Sequence, residues 1–157
     1  MPQVELYEKN SDKGDARMST KKKIIRKYEK PMDYYRDFNE WPEDWLVIEK
    51  DRAIANNLLK LYVPFIAALI QNELSVKTIK RHMGNLAMLG SEIIRNLNDG
   101  DEKYRKLKPK QLLLKYIDAE EGPLLHHLDP NDSTDEAHQK SLDATCCKLC
   151  RFVLASK

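Results

Sequence analysis

Only five glycines and three cysteines occur among the 157 residues of this chain, and both shortages exclude something. No G-x-G-x-x-G and no G-x-x-x-x-G-K occurs, so the glycine loops that cradle nucleotide phosphates with backbone amides are missing. An odd number of cysteines argues against a disulfide scaffold and for a reducing compartment. The longest fully apolar run, residues 63–70, is too short to cross a bilayer, so no membrane partner is expected. The opening Met-Pro-Gln-Val-Glu-Leu-Tyr lacks the basic-then-apolar order of a secretory signal. These absences together point to a cytoplasmic location. No run of alternating polar and apolar residues calls for a strand.

Charge is what the chain has in quantity. Twenty-seven Lys+Arg stand against 25 Asp+Glu, for a formal net charge of +2. That small total conceals blocks: +4 over residues 1–30, −4 over 31–75, +5 over 76–110, −6 over 111–143 and +3 over 144–157. Fields between exposed charges decay within roughly 8–10 Å, so the blocks matter more than their sum. A basic block between two acidic ones either pairs with its neighbours or stays free to meet an anion.

The hydrophobic pattern is helical and the expected fold class is all-α, a compact bundle of four to five helices in one domain spanning residues 21–157. Residues 1–20 are polar, without apolar periodicity, and read as a disordered or loosely attached tail. Two short pieces are expected over 21–38, divided at Pro31. Trp41-Pro42-Glu43-Asp44-Trp45 reads as an ordered turn anchored by its two indoles. The most apolar helix is expected over 49–72, where Pro64 predicts a kink or break near residues 61–63. Ser75 is placed to cap a helix over 76–97, in which Gly84 and Gly90 suggest close approach of a neighbour. A short helix follows from Pro109 over 109–117. Ser133-Thr134-Asp135-Glu136 has the form of a capping box for a last helix over 134–155.

Few residue groups have the spacing of a reactive site. Cys146 and Cys150 would share a helix face, but a tetrahedral metal site needs two more ligands. His126, His127 and His138 stand at no finger-like spacing. Small hydrophobic thiols are the reading that fits, with no metal and no cofactor. The adjacent His126 and His127 would point about 100° apart on a helix, with no nucleophile pattern nearby. The carboxylates of 40–51 and 118–136 match no calcium loop. The expected protein is therefore not an enzyme.

The basic residues are the candidates for binding. Lys77, Lys80 and Arg81 project from the first two turns of the 76–97 helix, opposite Ile79, Met83 and Leu86. Thr78 and the helix amino terminus add neutral donors, an arrangement suited to phosphate. Lys103, Arg105, Lys106, Lys108 and Lys110 form a second group, and Lys21, Lys22, Lys23, Arg26 and Lys27 a third.

The segment Leu74-Ser75-Val76-Lys77-Thr78-Ile79-Lys80-Arg81-His82-Met83-Gly84-Asn85-Leu86 resembles the core-binding domain of tyrosine recombinases (phage integrases). That domain is a SAM-like helical bundle whose helix often begins Leu-Ser-x-x-Thr-Ile-x-x-Tyr-x-x-x-Leu. Leu74, Ser75, Thr78, Ile79 and Leu86 match, and His82 stands in place of Tyr. The resemblance covers residues 49–98 and implies a SAM-like core that clamps duplex DNA by backbone contacts. It carries over to Lys77, Thr78, Lys80 and Arg81 only, and hints at an origin in a mobile element. No H-x-x-R element occurs, so recombination chemistry is not implied. The expected function is non-enzymatic recognition of double-stranded DNA through the start of that helix. The alternative is a protein–protein module, such as an inhibitor, antitoxin-like partner or adaptor, docking through opposed charged faces.

Overall fold

The computed structural model describes residues 28–126 and 132–156. The expected tail 1–20, the basic cluster 21–27 and His127 lie outside the described residues. Among the described residues the chain is all-α: helices α1 (Pro31–Tyr34), α2 (Trp41–Trp45), α3 (Arg52–Gln71), α4 (Val76–Asn98), α5 (Pro109–Leu113) and α6 (Ser133–Ala155), with single 3-10 turns at Phe38–Glu40, Glu49–Asp51 and Glu102–Lys106. Three long helices carry the bundle. Three short ones close its sides and ends.

Local chemistry explains the starts and stops. Pro31 opens α1, where its missing amide costs nothing, and the Asp33 carboxylate accepts from the amides of Glu29 and Lys30 at 2.9 and 3.0 Å. Trp41–Trp45 is a full helical turn, more regular than the turn expected, and buries both indoles. Phe38, Trp41, Trp45 and Tyr62 form a chain of tilted and edge-on rings with centroids 4.9, 6.3 and 6.0 Å apart. It ties α2 onto α3.

α3 runs unbroken through Pro64, so of the kink or break expected near residues 61–63 the break does not occur. Pro64 is exposed, so water can serve the carbonyl four residues back and the helix continues. The eight-residue apolar run also understated this element. Glu49–Gln71 is 23 residues, long and apolar enough to cross a membrane by length and composition alone. Its Leu58, Tyr62, Phe65, Ile66 and Leu69 are buried in the bundle. α3 ends at Gln71, and two residues on, Glu73 takes a left-handed φ of 59° as the chain turns toward α4.

α4 is the central element. α3 and α6 pack along its flanks, and α1 and α2 cover a third side. Ile79, Met83, Leu86, Leu89, Ile93 and Ile94 are fully buried along it. The two glycines of α4 do different things. A Cβ at Gly90 would overlap the Trp45 indole, so the ring lies on bare backbone there. A Cβ at Gly84 would meet only the Tyr35 hydroxyl, at an ordinary 3.5 Å. α6 begins one residue earlier than expected, with Asp132 accepting from the Thr134 amide at 2.8 Å.

At the far end of α4 a buried carboxylate joins three segments. Asp51 is fully buried and its Oδ2 accepts from the amides of Val47 and Ile48 at 3.0 and 2.9 Å. Asn98 of α4 donates to it at 3.1 Å, and Arg105 forms an ion pair with its Oδ1 at 2.7 Å. Arg105 also donates to Glu102 at 2.8 Å and to Asn98 at 3.0 Å, and Lys50 donates to Glu102 at 2.8 Å. Burial opposes ionisation of Asp51, but the Ile48 and Val47 amides, Arg105 and Asn98 outweigh it and hold its pKa below the usual carboxylate value.

The glycines give a paired test. Gly90→Ala should lower stability by about 1–3 kcal/mol, because the indole must leave its seat. Gly84→Ala should raise it by up to about 1 kcal/mol through helix propensity. Urea denaturation of both variants checks the pair.

Candidate nucleic-acid interface

The start of α4 is a capped helix terminus with a one-sided charge. Ser75 Oγ accepts from the Thr78 amide at 3.1 Å and donates to Thr78 Oγ1 at 2.9 Å. Thr78 thus spends its amide on the cap, and its half-buried hydroxyl keeps one proton to donate. Lys80 is half-buried as well. Its Nζ lies 5.9 Å from the Tyr28 ring centroid, while its carbonyl accepts from the Tyr35 hydroxyl at 3.2 Å. Lys77 and Arg81, one turn apart, are exposed. The four residues singled out from the sequence are therefore neighbours, but only Lys77 and Arg81 stand fully in solvent.

Two further cations join them from α6. His82 Nδ1 lies 2.7 Å from Thr145 Oγ1, and Asn85 donates to Thr145 Oγ1 at 2.8 Å and to Ser141 Oγ at 3.0 Å. Ascending α4 thus matches descending α6, so the two helices are antiparallel and the end of α6 lies beside the start of α4. Lys148 and Arg151 are exposed on that end. The charges of Arg81 and Lys148 both reach His82. Lys77, Arg81, Lys148 and Arg151 make no ion pair among the described residues. The outward strip of α4 continues through Met88 and Ser91 to Arg95, which pairs with Asp99 just past the helix end at 3.9 Å. The one acidic residue of the helix, Glu92, is 3% exposed and turned inward onto His126 Nδ1, its Oε1 unpartnered among the described residues.

The second basic group behaves differently. Arg105 is drawn into the Asp51 network, Lys110 donates to the Ser156 carbonyl at 3.1 Å, and Lys103 lies over the Tyr104 ring at 5.4 Å. Lys106 and Lys108 remain exposed. Here the chain's own groups occupy three of the five cations.

The layer between α4 and α6 has its own electrostatics. Thr145 Oγ1 receives the Asn85 amide proton and shares a hydrogen bond with His82 Nδ1 whose direction follows the imidazole tautomer. Burial, then the charges of Arg81 and Lys148, push the His82 pKa down to about 4. The buried thiols of Cys146 and Cys150 are held protonated by the same physics. Burial, then Asp143 and Asp118, push Cys146 up to about 12, and burial raises Cys150 too. A Cβ at Gly122 would overlap Cys146 Sγ, so the 118–126 strap lies directly on that sulfur. All three cysteines are free, and among the described residues no three His, Cys, Asp or Glu side chains converge.

No family model matches the chain, and neither a curated protein nor a solved structure matches it.

The buried imidazole gives a pH test. The unfolded chain takes up this proton near pH 6.5, whereas the folded chain resists to about 4. The stability contributed by neutral His82 is thus complete above the unfolded value and is lost as pH falls between the two. Urea denaturation should show stability dropping by roughly 1 kcal/mol per pH unit below about 6.5. His82→Asn should flatten that slope between pH 6.5 and 5, whatever its stability at pH 7.

Proposed function

We propose that this protein is a non-enzymatic recognition module that binds the phosphate backbone of double-stranded DNA. The observation that carries the reading is the contrast between the two basic groups among the described residues. Three of the five cations in the 102–110 region are taken up by the chain's own groups, while Lys77, Arg81, Lys148 and Arg151, on adjacent antiparallel helices, form no ion pair among the described residues. Lys80 and the Thr78 hydroxyl lie at the edge of this face. The amino terminus of α4 adds the partial positive charge of its free amides. Such a surface neutralises phosphates without reading bases, so its affinity is electrostatic and tolerant of sequence. The resemblance of residues 74–86 to the tyrosine-recombinase core-binding domain supports the same surface, and with it a SAM-like reading of the bundle and an origin in a mobile element.

Fluorescence anisotropy on a labelled duplex across a salt series tests the proposal. With three to four phosphates neutralised, log K against log salt should fall with a slope of about −3. Lys77→Glu with Arg81→Glu should cost at least about tenfold in affinity and flatten the slope by about 2, whereas Lys103→Glu should change little. No measurable binding to any duplex at about 50 mM salt would overturn the reading.

A further inference from the structure

At the opposite end of α4 from the basic face, two large apolar side chains point into water. Val47 is 59% exposed and Ile48 41%. A scattered surface hydrophobe needs no explanation, but this pair is held in place by unusual means. Both backbone amides are pinned to the buried Asp51 carboxylate, which Asn98 and Arg105 hold from behind. Arg52 closes the loop from outside, its guanidinium paired with both Glu43 and Glu49. The loop that carries Val47 and Ile48 is thus locked at both ends and beneath, with its apolar side chains left outside. A polar loop would satisfy the same bonds, since Asp51 engages only main-chain amides here.

The surroundings state the chemistry of what covers it. Of the exposed carboxylates along this stretch of chain, Glu43 and Glu49 share Arg52 and Lys50 is committed to Glu102, while Glu40 and Asp44 form no ion pair among the described residues. An apolar knob in an acidic surround is complementary to a segment with apolar residues on one side and cations on the other.

The geometry points to the Val47–Ile48 corner as a preorganised docking site for a basic amphipathic segment of a protein partner. The site is separate from the DNA face and does not depend on it. A locked loop loses little conformational freedom on binding, so even a small anchor contributes most of its contact energy, and the carboxylates select the sign of the partner.

The test uses a fluorescently labelled 14-residue helical peptide with leucine on one face and lysine on the other, titrated with the full chain. Binding with a Kd of about 100 µM or tighter is expected, weakened at least about tenfold in Val47→Ser with Ile48→Ser. Asp44→Lys with Glu40→Lys should weaken it several-fold, as should replacing the peptide's lysines by glutamate or its leucines by serine. Lys77→Glu with Arg81→Glu should leave it unchanged, which separates this site from the DNA reading. Thermal unfolding of each variant within about 2 °C of the parent confirms that the loop itself persists. Three results overturn the proposal: no peptide binding at about 100 µM, binding indifferent to the Val47/Ile48 substitutions, or a dimer in sedimentation that those substitutions abolish, which would make a second copy the occupant.

Discussion

The structure depends on a single constraint: α4 is packed on three sides, so little of its surface is left to water. Burying Ile79, Met83, Leu86, Leu89, Ile93 and Ile94 supplies the core with its continuous spine. What remains outside is a narrow strip, and on it the only charged residues are cations. The protein's field follows from this economy. The carboxylate that might have balanced the strip, Glu92, is turned inward against His126. The cations of the facing helix fall beside those of α4 because the two run antiparallel.

The second organising element is Asp51. A buried carboxylate is costly unless it is met by donors, and this one is met by two main-chain amides, an amide side chain and a guanidinium. It joins the start of α3, the end of α4 and the 3-10 turn after it, segments far apart in sequence. The same bonds that close this end of the bundle also shape the loop in front of it. Structure and surface presentation share one set of contacts there.

The long helices were legible from spacing alone, because three- and four-residue recurrence survives any tertiary arrangement. Ser75 and Pro109 fell where local hydrogen bonding requires them. The failures have a common physical origin. Pro64 does not break α3, because exposure decides whether its lost hydrogen bond matters, and exposure is tertiary. Gly84 and Gly90 looked equivalent, yet only one faces an indole. Lys77 and Arg81 could be named from their helix phase, but Lys148 and Arg151 could not be joined to them without knowing that α6 runs antiparallel to α4. Arg105 had the composition of a surface cation and proved an interior one, because its partner Asp51 lies 54 positions away.

The polar layer of His82, Asn85, Ser141 and Thr145 carries one more consequence. Apolar helices packed together can slide, since one methyl group replaces another at small cost. Hydrogen bonds do not permit this. A slip of one turn, about 5.4 Å, would strand the Asn85 amide and the His82 ring without partners in a dry interface. The layer therefore works as a vernier between the two helices. The separation of Arg81 from Lys148 on the outside is ruled by a graduation engraved within, so the spacing of the surface charges is an interior property of the fold.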